Sequence, residues 1–440
     1  MTRLLPVFLA LLSLQSPASS ANWGYWRGPA GNGVAAGDAP TTWSDSANVA
    51  WKVAIPGRGH SSPIVWGDRV FLTTAIPTGK PADPPAEPAA EGQGRRGGGR
   101  QAAPLVEHRF VVMALDRATG KTVWEQTATV ATPHEPHHFQ YGSFASNSPV
   151  TDGTRVFASF GSRGLYAYDM NGKLLWKKAF GVKLTMFRQF GEGTAPVLHG
   201  DRLIMLMDHE GDSFIAMLDA ATGKELWRTP RTGDAVTNWS TPLVAEHNGT
   251  KQIIVSASRR VHAYDFNTGK SIWTATGLGQ NTIPQPVQYG DLVYVMSGYR
   301  NPKGMAIRLG REGDLTGTDA IVWTQDRGMS YTATPALHDG TLYMITDTAM
   351  VSAFDMKTGQ PLYHQVRLPK PYNIKSSPVI ANGRIYYATE EGDVIVAKTG
   401  PAWEIIATNS LADQSFVSTP AIAGGEIFLR SRTHLFKIAD

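Results

Sequence analysis

The chain has 440 residues, 42% of them hydrophobic, with 45 glycines, 28 prolines and a formal net charge of +4. That much apolar content supports a large buried core. So small a charge, without a Lys/Arg run on a regular element, leaves nucleic acid out of the expected partners. The chain has no cysteine, which excludes disulfides, thiolate metal sites, haem attachment through Cys and a lipid-modified N-terminal Cys.

The opening residues read as a secretory signal over 1–21. Met1-Thr2-Arg3 gives the positive end, Leu4 to Leu14 the apolar core, and Ser16-Pro17-Ala18-Ser19-Ser20-Ala21 the small residues for cleavage after Ala21. The apolar core is too short for a membrane span, and no later segment qualifies. The expected location is the periplasm or the cell exterior, without a Cys-linked lipid. Residues 22–47 form an N-terminal extension. Residues 48–440 form one repeat domain.

The repeat is explicit. "VVMALDRATGKTVW" (111–124) returns as "LYAYDMNGKLLW" (165–176), "IAMLDAATGKELW" (215–227) and "VHAYDFNTGKSIW" (261–273), and fades to "VSAFDMKTGQPLY" (351–363). A proline opens each unit: Pro63, Pro149, Pro196, Pro242, Pro286, Pro335, Pro378 and Pro420. After the first step the spacing is 42 residues at its shortest, Pro378 to Pro420, and 49 at its longest, Pro286 to Pro335. That period is one four-stranded propeller blade. The expected fold is all-β, an eight-bladed β-propeller of four-stranded antiparallel blades. The last unit supplies only three strands, and "NVAWKVAIPG" (48–57) supplies the missing outer one. The N-terminal strand is therefore expected to complete the eighth blade, leaving no open radial edge.

Within a blade, Asp116, Asp169, Asp219, Asp265 and Asp355 each precede a tight turn and are expected to accept backbone N–H groups there. Trp51, Trp124, Trp176, Trp227, Trp273 and Trp323 end outer strands, where a flat ring covers the gap between twisted sheets. Both sets are expected to be structural. Two units carry insertions. Residues 76–107 in the first are rich in Pro, Gly, Ala and mixed charge, so a disordered, solvated loop is expected. Residues 311–320 in the fifth make a longer polar turn.

The pattern Ala-x-Asp-x-x-Thr-Gly-Lys-x-x-Trp resembles the quinoprotein-type, or PQQ-like, β-propeller repeat. "NWGYWRGPAGNGV" (22–34) and "WKVAIPGRGHSSPIVWGDRVFLTTA" (51–75) are similar to exported bacterial PQQ-binding-like repeat proteins without assigned function. The resemblance implies eight blades docked by tryptophan. It contains two branches: alcohol and sugar dehydrogenases holding PQQ and Ca²⁺ in the channel, and BamB-like scaffolds that bind partners. The chain lacks the dehydrogenases' adjacent-Cys disulfide and cytochrome segment, and the Cys lipid anchor of BamB. PQQ and calcium thus enter through the resemblance alone. Fold does not carry function by itself.

Two constellations are candidate sites. His134-Glu135-Pro136-His137-His138 matches H-E-x-x-H, but that motif needs a helix, and Pro133 and Pro136 oppose one. What remains is a metal site on His134, His137 and His138, or a polar inter-blade loop. The second constellation is the set of links before each opening proline, which a propeller gathers at one channel mouth. They carry Arg58, His60, Tyr141, Phe187, Arg188, Gln189, Asn238, Trp239, Asn281, Tyr331, Asn373, Lys375 and Phe416. Aromatic faces beside hydrogen-bonding side chains suit a planar, polar or sugar-like ligand, or an extended peptide. The acidic clusters at 208–212 and 390–393 read as solvated hairpin turns. No catalytic residue is assigned. The expected function is a non-enzymatic, monomeric binding propeller for a protein or small polar ligand. A PQQ-dependent dehydrogenase and a metal-dependent hydrolase stand as alternatives.

Overall fold

The computed structural model describes residues 21–81, 105–231 and 236–440. The signal-peptide reading falls on residues outside this range, apart from Ala21, as does most of the 76–107 insertion.

The second and third strands of each unit are apolar on both faces, as Arg202–Met207 and Phe214–Asp219 are, and both are almost wholly buried. Outer strands alternate, as Glu225–Pro230 does, with one face in and one out. A sheet with this gradient packs between two like sheets along one edge of a ring. The chain forms eight such sheets, each with a four-strand antiparallel core. Buried clusters join blade one to two, two to three, three to four, four to five, five to six and six to seven. A last cluster spans blades seven, eight and one and closes the circle.

Closure uses the expected strand. Val49–Ala54 pairs antiparallel with His434–Ile438 and occupies the outer position of the blade built from Ala421–Ala423, Glu426–Arg430 and His434–Ile438.

Tryptophan fixes the spacing between blades. Trp124 donates its indole N–H to Met170 O at 3.0 Å, Trp176 to Ala220 O at 3.1 Å, Trp227 to Phe266 O at 3.2 Å and Trp323 to Met356 O at 2.9 Å. Each acceptor follows a recurring Asp of the next blade. The rings lie on glycines: a Cβ on Gly223 or Gly359 would come within 2.6 or 2.5 Å of Trp176 or Trp323. Both glycines also have φ of +70°, so the turn and the ring require glycine for separate reasons. The turns are tied by Asp116, Asp219, Asp265 and Asp355, each accepting from a Thr N–H and hydroxyl three residues on. Asp169 accepts from the N–H groups of Asn171 and Lys173 instead. Trp273 departs from the pattern. Blade five has no Asp-x-x-Thr-Gly turn to receive it, and its indole donates to Gln252 Oε1 of its own blade at 2.9 Å.

Both insertions contain strand residues among those described. Ile76–Pro81 and Val106–Glu107 are strand, extending the hairpin Arg69–Pro81 and Val106–Asp116. Alternating Thr, Lys and Glu are compatible with a solvated ladder, so the described ends of the insertion continue the hairpin. In 311–320, Gly313–Asp314 pairs in parallel with Trp273–Thr274 and covers the outer edge of blade four. The acidic residue Asp208 is 2% exposed rather than solvated. Its carboxylate takes a bidentate pair from Arg231 at 2.7 and 2.9 Å.

Candidate ligand cavity on the propeller axis

The opening proline explains how the inter-blade links are held. The residue before it carries a hydroxyl in six blades, and the hydroxyl receives a backbone N–H from the preceding blade. Ser62 N donates to Ser148 Oγ at 2.9 Å, Ala195 N to Thr241 Oγ1 at 3.3 Å, Gln285 N to Thr334 Oγ1 at 2.9 Å and Thr334 N to Ser377 Oγ at 2.9 Å. Ser377 N donates to Thr419 Oγ1 at 3.1 Å, and Thr419 N to Ser62 Oγ at 3.0 Å. Where the next residue is Ala195 or Gln285, neighbouring groups substitute: Asn147 Nδ2 donates to Thr194 O, and Ser240 Oγ to Pro284 O. The proline has no N–H to compete, so this belt meets buried polar groups that a channel wall would otherwise strand.

The N-terminal extension closes the far end. Trp23 bridges Val65 of blade one, and Gly24 O accepts from Thr151 N of blade two. Tyr25 Oη donates to Gln285 Oε1 of blade five at 2.6 Å. The fully buried Arg27 donates to Pro335 O of blade six at 2.8 Å and Pro378 O of blade seven at 2.9 Å. Val34–Ala35 then pairs in parallel with Ile380–Ala381. The segment thus crosses the axis and uses inner-edge groups that the short inner strands leave unpaired. Burial pulls the Arg27 guanidinium down to about 9.

Above this floor lies a cavity of about 460 Å³, lined from all eight blades and by Trp26. Of the candidate residues, His60, Tyr141, Trp239, Tyr331 and Lys375 reach its wall. The others do not. Arg58 donates to Phe139 O and Gln140 O and holds the blade-two link. Phe187, Arg188 and Gln189 form a short 3-10 turn behind Phe190. Asn238 is buried against Asp208 and Ser256 O, and Asn281 is buried with its backbone N–H on Ser258 Oγ. Asn373 donates to Glu391, and Phe416 is core. Facing direction is not encoded in a loop's composition, which is why the set divides. Trp26, Phe190, Glu192 and Tyr299 also line it, as does His138, a candidate metal ligand by sequence; aromatic content signalled the three rings, and nothing in the sequence signalled Glu192.

The wall is chemically uneven. Phe190, Trp239, Tyr299 and Tyr331 lie on blades three to six, with Tyr299 and Tyr331 stacked at 5.2 Å. Opposite them, His60 Nδ1 meets Tyr141 O at 2.9 Å and its Nε2 has no partner. Burial, reinforced by Arg58, pushes the imidazole down to about 3, so it is neutral. Lys375 Nζ sits 4.7 Å from the Tyr141 ring centre and 2.8 Å from Asp347 Oδ2. Burial raises the Glu192 carboxyl, whose two oxygens accept from Ser162 N and Oγ, both at 2.6 Å.

The three clustered histidines are not brought together as ligands. Arg163 Nη1 donates to His134 Nδ1 at 2.7 Å, and His134 Nε2 donates to Leu184 O at 2.9 Å, so both nitrogens are used. His137 Nδ1 meets His138 O, and His138 stacks 4.9 Å from Tyr141. Among the described residues no group of three or more His, Cys, Asp or Glu can hold a metal. Calcium asks for six to eight oxygens, whereas the cavity wall offers the one carboxylate of Glu192, already engaged. The residues present therefore do not fit a calcium-held cofactor, although the flat aromatic walls would accept a ring.

These features define a PQQ-like repeat propeller. A family profile described as outer membrane protein assembly factor BamB matches residues 108–365, and the chain belongs to that family. Tetrathionate hydrolase of Acidithiobacillus ferrooxidans is 24% identical over 361 residues, covering 72% of this chain and 66% of its own, just under two thirds. Outer membrane protein assembly factor BamB of Yersinia pestis is 21% identical over 343 residues, covering 74% and 79%. Among solved structures, a europium-containing methanol dehydrogenase superposes with a TM-score of 0.64 at 12% identity, covering 93% of this chain and 89% of its own. That likeness concerns the fold. Among the described residues, no helix is long and apolar enough to cross a membrane.

Proposed function

We propose that this protein is a non-enzymatic binding propeller, working outside the cytoplasm, that takes a small polar ligand or a polypeptide segment at the axial cavity. The observation that carries this reading is the form of the cavity: lined by inter-blade link residues from every blade and by Trp26, with aromatic rings held on a rigid scaffold. His60 Nε2 has no hydroxyl bonded to it, so its neighbours do not make the nucleophile–base pair that acyl transfer needs. The name of the family, an assembly factor, supports binding over turnover.

The test is paired. Saturation-transfer NMR with a library of small polar compounds and peptides is expected to find binders to the wild type that Trp239→Ala loses. Purified protein supplied with PQQ and Ca²⁺ is expected to oxidise no alcohol or sugar, and protein given tetrathionate to leave it intact. Turnover in either assay would falsify the non-enzymatic reading.

A further inference from the structure

We propose that the axial cavity selects a small aromatic monocarboxylate, with its ring against blades three to six, its carboxylate toward Lys375 and a ring O–H or N–H donated to His60 Nε2. This rests on the reading of the cavity as a ligand site and adds what the ligand is.

His60 sets the first requirement. It is 8% exposed and lines the cavity. Tyr141 O can only accept, so the proton sits on Nδ1 and Nε2 carries a lone pair. That lone pair has no partner in the protein. Buried polar atoms in native folds mostly find a partner in protein or water, and a donor on the occupant is the partner we assign to it.

Charge sets the second. Arg58, Arg430 and Arg432 all act on His60, and Lys375 stands on the same side of the axis. Against these four cations stand three carboxylates: Glu390, held by Arg432 at 2.9 Å, Glu391, held by Asn373, and Asp347. The Asp347 carboxylate is shared among Lys375, the N–H groups of Tyr331 and Thr332, and the Thr332 hydroxyl. The side formed by blades seven, eight and one is therefore net positive and draws an anion. Glu192 lies across the axis on blade three, with both oxygens engaged by Ser162.

Shape sets the third. The facing wall of Phe190, Trp239 and the Tyr299–Tyr331 stack offers ring faces to a flat apolar body. A cavity of about 460 Å³ holds a one- or two-ring molecule with accompanying water.

Calorimetric titration of the full chain with 4-hydroxyphenylacetate, its amide, phenylacetate and hexanoate tests this. The hydroxylated acid is expected to bind at least tenfold tighter than the amide and than hexanoate. Lys375→Met is expected to erase the difference between acid and amide, and Lys375→Arg to keep it. His60→Phe is expected to erase the difference between 4-hydroxyphenylacetate and phenylacetate. Thermal melts verify that each variant is folded. An amide as tight as the acid, or a preference that survives Lys375→Met, overturns the assignment. If that uncharged binding still depends on Trp239, the cavity stands as a ligand site; if no probe's binding depends on Trp239, both readings fall.

Discussion

Trp51 donates its indole N–H to the carbonyl of Arg117 at 3.1 Å, across the junction between the eighth blade and the first. Trp51 lies on the N-terminal strand that pairs with the C-terminal one inside blade eight, and Arg117 lies in the neighbouring blade one, so the bond docks the closing strand onto the next blade. Trp51 is 9% exposed, and a Cβ on Gly120 would lie 2.8 Å from its ring. Trp51→Ala removes both the ring's burial and its hydrogen bond, and is expected to cost about 3–5 kcal/mol. Urea unfolding checks it. A midpoint unchanged from wild type would show that the seam does not hold the ring.

Arg27 joins blades six and seven from the far side of the cavity. Arg27→Met keeps much of the side-chain volume but strands the carbonyls of Pro335 and Pro378, each losing a bond to a charged donor worth about 1.5–3 kcal/mol. The expected outcome is a lower thermal midpoint, together with faster hydrogen exchange over residues 22–35. Scanning calorimetry and exchange mass spectrometry read the two effects.

The hydroxyl belt makes a prediction about one atom. Thr334→Val preserves shape and removes the acceptor for Gln285 N–H, which is buried. Leaving that donor unmet costs about 1–3 kcal/mol. Thr334→Ser keeps the oxygen and is expected to lie much closer to wild type in the same urea titration.

Glu135 gives the pH dependence. Its carboxyl is 7% exposed and accepts from Met186 N at 3.1 Å. Burial raises it from 4.5 to about 7. Between those values the folded protein holds a proton that the unfolded chain has released, so this group's contribution falls as pH rises from about 4.5 through 7. His134, lowered by burial, acts in the opposite direction, losing stability as pH falls below its ordinary value. The difference between wild type and Glu135→Gln isolates the carboxyl. The variant is expected to gain relative to wild type as pH rises from 5 to 8, in urea melts at each pH.

Much of the fold was legible because each blade repeats its turn and its tryptophan: Asp219, Gly223 and Trp227 recur in register, and counting opening prolines gave eight blades. The Trp51 strand was legible by subtraction, since the last unit had three strands. The floor of the cavity was not. Trp23, Tyr25, Trp26 and Arg27 repeat nothing, and their partners lie up to 351 residues away in blades one to seven. The candidate site was half legible. Composition placed aromatic and polar residues at one mouth, but the direction of each side chain depends on loop geometry. Phe416 turned into the core and Arg58 onto the Phe139 and Gln140 carbonyls, while Trp239 and Lys375 faced the axis. The H-E-x-x-H residues lie as the two prolines require: without a helix, His134 lies against Arg163 and Leu184, apart from His138 on the cavity wall.

Solvent access to the axial cavity is tested most directly by cysteine labelling, since the natural chain has no thiol. Val417→Cys places one on the cavity wall, and Ala35→Cys places one within the N-terminal segment, where Val34–Ala35 pairs with blade seven, at 7% exposure. In native buffer a small methanethiosulfonate reagent is expected to modify the first quickly and the second only after unfolding. Equal protection of both thiols would contradict an open axial site.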